Sequence, residues 1–175
     1  ILGFPYGSKE FLKFTHKVMQ LLVEETYSAS ADIAAKKGSF PILEGHIDEY
    51  LSSPFIQRSV PSHVIEKIRK HGIRNSHLLS IAPTGTMSLC ADNVSSGVEP
   101  VFDYKYQRSI RGDVVTIQDF AYQFYKVRGR RVSDITPQDH LAVLSIVQKF
   151  VDSSVSKTVN VSDSIQWAEF KDLYF

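Results

Sequence analysis

The stretch from Ser76 to Cys90, "SHLLSIAPTGTMSLC", does most to limit the fold. Leu78, Leu79 and Ile81 make a dense apolar run that stops at Pro83, the pattern of a buried strand. Pro83, Thr84, Gly85 and Thr86 follow, and Met87 to Cys90 then reads as the start of a helix. A strand that feeds a helix through a tight loop is the repeating unit of α/β proteins.

The rest of the chain supplies helices on both sides of that unit. "SKEFLKFTHKVMQLLVEETYSASADIAAKK" reads as one long helix with Ser8 as N-cap, closed by Gly38 and Pro41. Phe11, Phe14, Val18, Leu21, Leu22, Ala29 and Ile33 recur at spacings of three, four and seven, which predicts an inward face. The next stretch, to Val60, is rich in Pro, Gly and Ser and reads as a loop with at most a short helical turn. "PSHVIEKIRKHG" is a short helix with Val64, Ile65 and Ile68 inward and Gly72 at its end, where His71 complements the dipole.

Beyond Pro100, "VFDYKYQRSI" is strand-like or extended, with Phe102, Tyr104 and Tyr106 at alternate positions, a pattern that more often packs a core than stacks a base. "TIQDFAYQFYKV" reads as a helix capped by Thr116. "TPQDHLAVLSIVQKFVDSS" is a helix with Thr136 as cap and Pro137 at its first position. "VSKTVNV" alternates as a short strand, and "DSIQWAEFKDLYF" starts a last helix that runs to Phe175. Strands alternating with helices predict an α/β layout with parallel strands.

Composition narrows the function classes. Hydrophobic residues are 43% and charged residues 22% of the 175, which is globular. A formal net charge of +1 argues against a general nucleic-acid binder. No apolar run reaches the roughly 20 residues that span a bilayer, so no membrane partner is expected. Cys90 is the single cysteine, so no internal disulfide or Cys-rich zinc site can form, and a reducing, cytoplasmic setting is expected. The six histidines show no metal-binding spacing, and no metal site is expected. The first residue is Ile1, as expected of a piece excised or processed from a longer protein.

The Pro83–Thr86 loop has two local readings. A helix start leaves backbone N–H groups without internal partners, and these with the dipole attract an anion. Gly85 would let a ligand approach the backbone, and the Thr84 and Thr86 hydroxyls would donate to phosphate oxygens. The plainer reading, and the commoner one, is that Thr84 caps the helix and Gly85 makes a turn. Neither a Walker A loop nor GxGxxG is present.

"LLSIAPTGTMSLCADNVSSGVEPVF" resembles the segment around the substrate-phosphate loop in the catalytic chain of adenosylcobalamin-dependent (class II) ribonucleotide reductases. "GIRNSHLLSIAP" resembles that family's lead-in. The segment from Thr136 to the chain end resembles its His-containing helix, its "SKT" strand and its "FKDLY" helix. The likeness covers essentially the whole chain, and the Pro83–Pro100 block is its most specific part. Class I reductases carry Ala and Ser in the related loop, so Gly85 points to class II.

The resemblance implies that residues 1–175 are one carboxyl-side fragment of a ten-stranded α/β barrel of the ribonucleotide reductase type. Ala82, Pro83, Thr84, Gly85 and Thr86 would bind the diphosphate of the ribonucleotide, and Ser88, Asn93, Ser95, Ser96 and Glu99 are candidates to line the active site. The full enzyme would make deoxyribonucleotides by radical chemistry, with adenosylcobalamin as radical source. Its partners would be the ribonucleoside diphosphate, the rest of the reductase chain and a thioredoxin-type reductant. The family places its radical cysteine upstream, and no Asn-x-Cys-x-Glu occurs here, so no catalytic residue is expected in this segment and the fragment alone should be inactive. Cys90 is expected to be a buried small hydrophobe. The alternative is a non-catalytic, nucleotide- or partner-binding fragment of a split or degenerate reductase.

Turn formation is the plainer role for Asn93, Ser95 and Ser96. Arg128, Arg130 and Arg131 are expected to form a solvated basic loop. Asp139 and His140 are expected to be solvated in the first turn of their helix.

Overall fold

The computed structural model describes residues 2–110 and 112–173, and its chain folds as two compact units. One comprises Ile1–Lys13, Ile81–Ser145 and Ser156–Phe175, and is called here the loop unit; the helical unit comprises Phe14–Ser80 and Ile146–Val155.

α1 (Lys9–Lys37), which belongs to the helical unit from Phe14 on, is the long helix that the sequence predicts. Its start is fixed as expected, because the Ser8 hydroxyl accepts from the Phe11 amide at 3.1 Å. Its inward face is not the expected one. Met19, Val23, Tyr27, Ser30, Ala31 and Ala34 are buried, whereas Phe14, Val18, Leu21, Leu22 and Ile33 are 39–57% exposed. The helix carries apolar residues on more than one side, so periodicity offers two faces and packing selects one.

The stretch before Val60, expected as a loop, holds α2 (Ile47–Leu51) and α3 (Pro54–Ser59). Pro54 at the first turn supplies a helix start that composition hid. Next comes α4 (Ser62–His71), with Val64 and Ile68 fully buried and Ile65 half-buried. Gly72 ends it at φ +75°, where a Cβ would collide with the Ser39 side chain. Leu51, Ile56, Val64, Ile68 and Ile73 complete the core with the buried face of α1, each such side chain contributing about 1.5–3 kcal/mol.

Residues 76–80 do not form the expected buried strand. They run without regular structure, and Leu78 and Leu79 are only half-buried. Their amides go to one side chain: Asp152 accepts from Leu78 N at 2.7 Å and from Leu79 N at 2.9 Å. The same carboxylate accepts from the Tyr27 hydroxyl at 2.6 Å. Burial, and then this bond, pushes the Tyr27 phenol well above its ordinary value, and burial pushes Tyr50 up to about 12.

The loop unit holds α5 (Gly85–Cys90) and an antiparallel hairpin of β1 (Lys105–Ile110) and β2 (Asp113–Gln118). Its register runs from Lys105 opposite Gln118 to Ile110 opposite Asp113. This corrects the expected parallel layout: among the described residues, the sole sheet is this two-stranded antiparallel one, and Val101 and Arg131 form an isolated parallel bridge outside it. Gly112, at φ +94°, allows the reversal between the strands. Thr116 is therefore in β2, and α6 (Phe120–Tyr125) is capped instead by Asp119, whose carboxylate accepts from Tyr122 N at 2.9 Å.

α7 (Pro137–Gln148) starts where predicted. Thr136 Oγ1 accepts from Asp139 N at 3.2 Å, and Asp139 accepts from Thr136 N at 3.3 Å, a reciprocal cap. Residues 155–161 form no strand ladder. α8 (Trp167–Lys171) begins the expected last helix, and Tyr174 and Phe175 lie outside the described residues. No helix of the described residues is long and apolar enough to cross a membrane.

Candidate functional site

Ala82, Pro83, Gly85 and Thr86 are exposed, and Thr84 is half-buried. Thr84 stands at the head of α5 with φ +49° and ψ 22°, in the left-handed region. A β-branched residue there is an outlier and costs about 1–3 kcal/mol. Its hydroxyl does not cap α5, contrary to the plainer sequence reading. Oγ1 instead accepts from the Gly97 amide at 2.9 Å.

Gly97 sits at φ +53°, and a Cβ there would lie 2.8 Å from the Ala82 carbonyl oxygen. Only glycine lets the second loop come this close to the first. At Gly85 the opposite holds: a Cβ would meet nothing within 4 Å, so the backbone there faces open space.

The candidate lining residues divide. Gly85, Ser88, Asn93, Ser95 and Ser96 share one cavity of about 110 Å³, with Arg108, Asp103 and Asp119 also in its wall. That is the volume of a few waters, on the scale of a phosphate group rather than a nucleoside. Several of its polar side chains are turned to the protein. Ser88 donates to Gly85 O at 2.8 Å, Asn93 to Gln118 O at 3.0 Å, and Ser95 to Glu99 O at 2.6 Å. Asn93 also holds a positive φ of 55°, a turn role expected of Asn.

Glu99 does not line this cavity. Its carboxylate accepts from Lys157 Nζ at 2.6 Å and from the Thr158 amide at 2.6 Å. The Lys157 side chain is 0% exposed, and its ammonium lies 5.7 Å from the centre of the Tyr6 ring. The Tyr6 hydroxyl donates to Val98 O at 2.7 Å. Burial first, then the charges of Glu99 and Asp139, push the Tyr6 phenol well above its ordinary value.

His140 corrects another expectation. It is fully buried, and among the described residues neither ring nitrogen has a hydrogen-bond partner. Burial and the nearby Lys157 charge push its pKa below the ordinary 6.5. Its neighbour Asp139 is ion-paired with Arg130 at 2.8 Å. Burial raises the Asp139 pKa, but the bonds from Arg130 and Thr136 outweigh it and hold it low.

Cys90 is exposed, which overturns the expectation of a buried hydrophobe. α5 is two turns long and points Ser88 inward, so Cys90, two positions on, falls on the opposite side. The arginines are less free than a solvated loop implies. Arg130 also donates to Tyr6 O at 2.7 Å, and Arg131 pairs with Asp134 at 3.2 Å. Arg128 is exposed, its guanidinium 5.8–5.9 Å from the stacked rings of Tyr104 and Tyr122.

Sequence reasoning did not find Tyr6 or Lys157. Lys157 lies in the quoted "SKT" motif, but a lone lysine in a polar stretch reads as solvated until its partner is known. Among the described residues, no group of three or more His, Cys, Asp or Glu could hold a metal ion.

A profile of the ribonucleotide reductase barrel domain matches residues 1–126, and the chain belongs to that family. Among its relatives are two proteins named vitamin B12-dependent ribonucleoside-diphosphate reductase. That of Mycobacterium tuberculosis is 28% identical, over 99% of this chain and 27% of its own length. That of Thermoplasma acidophilum is 27% identical, over 91% of this chain and 22% of its own. A ribonucleoside-diphosphate reductase subunit alpha of Mycoplasma pneumoniae is 26% identical, over 97% and 28%. The chain thus spans about a quarter of the length of these relatives.

Proposed function

We propose that this chain is the substrate-phosphate-binding portion of a ribonucleotide reductase that acts on ribonucleoside diphosphates. Ala82 to Thr86 would hold the diphosphate, with the open backbone at Gly85 and the Thr86 hydroxyl as donors. The observation that carries the reading is the strained Thr84 at the mouth of α5, fixed by Gly97 and left with an exposed loop beside it. Strain of this kind persists only where surrounding structure imposes it, and it concentrates at ligand sites.

The vitamin B12-dependence in the relatives' names supports adenosylcobalamin as the radical source of the whole enzyme. No residue of this chain is given a role toward it. The rest of the catalytic barrel, the radical cysteine and a thioredoxin-type reductant would complete the activity, in the cytoplasm. The one cysteine, exposed at Cys90, favours a second reading for this chain taken by itself: a nucleotide-binding piece without chemistry of its own.

The test is a titration of the full-length protein with a ribonucleoside diphosphate, followed at backbone amide resonances. Thr84 to Ser88 should shift first and most. A response confined to other residues would remove the diphosphate role from this loop. Conversion to deoxyribonucleotide, with added adenosylcobalamin and a dithiol, separates the catalytic reading from the second one.

A further inference from the structure

The loop that carries Gly97 is itself held at three successive residues, and each contact leads inward. Gly97 gives its amide to Thr84 Oγ1 and lies against the Ala82 carbonyl. Val98 gives its carbonyl to the Tyr6 hydroxyl. Glu99 gives one carboxylate oxygen to Lys157 and the other to the Thr158 amide, 58 and 59 residues away in sequence. Lys157 has no exposed side-chain surface and Glu99 is 23% exposed, so this pair is not a surface ion pair that solvent would loosen. Breaking one side of a buried pair leaves a charge without compensation.

We propose that Glu99 and Lys157 form a latch that positions the phosphate loop. Neither touches the ligand. The pair fixes the height of residues 97–99, Gly97 then holds the Thr84 hydroxyl, and Thr84 is thereby kept in its left-handed conformation with the Gly85 backbone facing outward. Thr84 released from Gly97 would relax toward negative φ, because nothing else in its own side chain's bonding opposes the strain. The amides of the first turn of α5 would then turn away from the direction they now face. The functional consequence rests on the diphosphate reading above, whereas the mechanical coupling does not.

The experiment uses the full-length protein and two variants. Glu99→Ala with Lys157→Met removes the latch without leaving a bare charge; Glu99→Gln keeps an acceptor for Thr158 and loses only the ion pair. Amide hydrogen exchange is read at Gly97 and residues 84–88, and inorganic pyrophosphate is titrated against the same amides. The double variant should exchange the Gly97 amide at least tenfold faster, with the β1–β2 hairpin and α7 protected as in the parent, and should bind pyrophosphate about tenfold more weakly. Glu99→Gln, which leaves the Lys157 charge without its partner, should also exchange the Gly97 amide faster than the parent. Parent-like protection at Gly97 in the double variant overturns the latch. If that variant loses protection everywhere, Glu99→Gln decides: faster exchange at Gly97 alone supports the latch, and parent-like or uniformly lost protection overturns it. A parent that ignores pyrophosphate, in company with faster Gly97 exchange in the variants, sinks the diphosphate reading and leaves the latch standing.

Discussion

The two units bury different things. In the helical unit the interior is mostly apolar: Val23, Ala31, Val64, Ile68 and Ile73 have no exposed surface, and Ser30 and Ser59 add two buried hydroxyls but no charge. In the loop unit, Pro100, Ile135 and Val143 are the buried apolar residues among those described, and His140, Asp119, Ser88 and the Lys157 side chain are buried as well. A helix hides its own backbone bonds and needs only one apolar stripe covered. A loop does not, so its backbone groups and carboxylates must find partners, as Glu99 and Asp119 do. The helical unit should therefore fail through cavities, and the loop unit through charge.

The largest expected effect comes from the apolar side. Ile68→Ala removes a fully buried side chain between α4 and its neighbours, and should lower the unfolding free energy by about 2–5 kcal/mol. Urea titration measures it, and the loss should be nearly independent of pH from 5.5 to 7.5. A smaller loss, under 1 kcal/mol, would mean that this core collapses around the gap and is not the rigid half of the comparison.

The next effect belongs to the loop unit and depends on pH. His140 is held neutral, so its folded pKa lies below the value of about 6.5 that the unfolded chain keeps. Between the two values the unfolded chain binds the extra proton. Stability is then complete above pH 6.5 and falls as pH drops below it, by at most about 1.4 kcal/mol per pH unit. Lys157, Glu99, Asp139 and Tyr6 surround the ring, and Asp139 is held low, against its burial, by Arg130 and Thr136. His140→Leu should flatten the loss between pH 6.5 and 5.5, read as amide exchange across the hairpin. An unchanged slope in that variant would assign the acid sensitivity elsewhere.

The smallest effect is a control on the word charge. Arg69 and Asp48 are 2.6 Å apart, but their side chains are 50% and 82% exposed. Arg69→Ala should cost about 0.2–1 kcal/mol and less in 1 M salt. A loss rivalling that of Ile68→Ala would erase the contrast between the two units.

Local chemistry was readable wherever a signal acts over one helical turn. Ser8, Thr136 with Pro137, and Gly72 mark helix ends through bonds or φ values that involve residues no more than four apart. β1 lay in the stretch whose alternating aromatics announced an extended segment, but the hairpin was missed because Gly112 is a single glycine with no Asn or Asp before it to mark a tight reversal. The expected strand at Leu78–Ile81 failed for the converse reason: an apolar run favours burial, but a ladder needs a neighbouring strand that the run cannot supply.

At the candidate site, the residues of the Pro83–Thr86 loop were named from the sequence, and their conformation was not. Threonine argues against a positive φ, and only Gly97, thirteen residues on, explains why Thr84 accepts one. The sequence by itself determined where α1 and α4 begin and end and where α7 begins, because caps, proline and glycine act on their nearest neighbours; α7 stops at Gln148, short of the predicted Ser154. Tertiary structure alone decided which face of α1 is covered, that His140 is buried and that Lys157 is paired. Each of these is a choice between solvent and a partner many residues distant, and no local rule contains the partner.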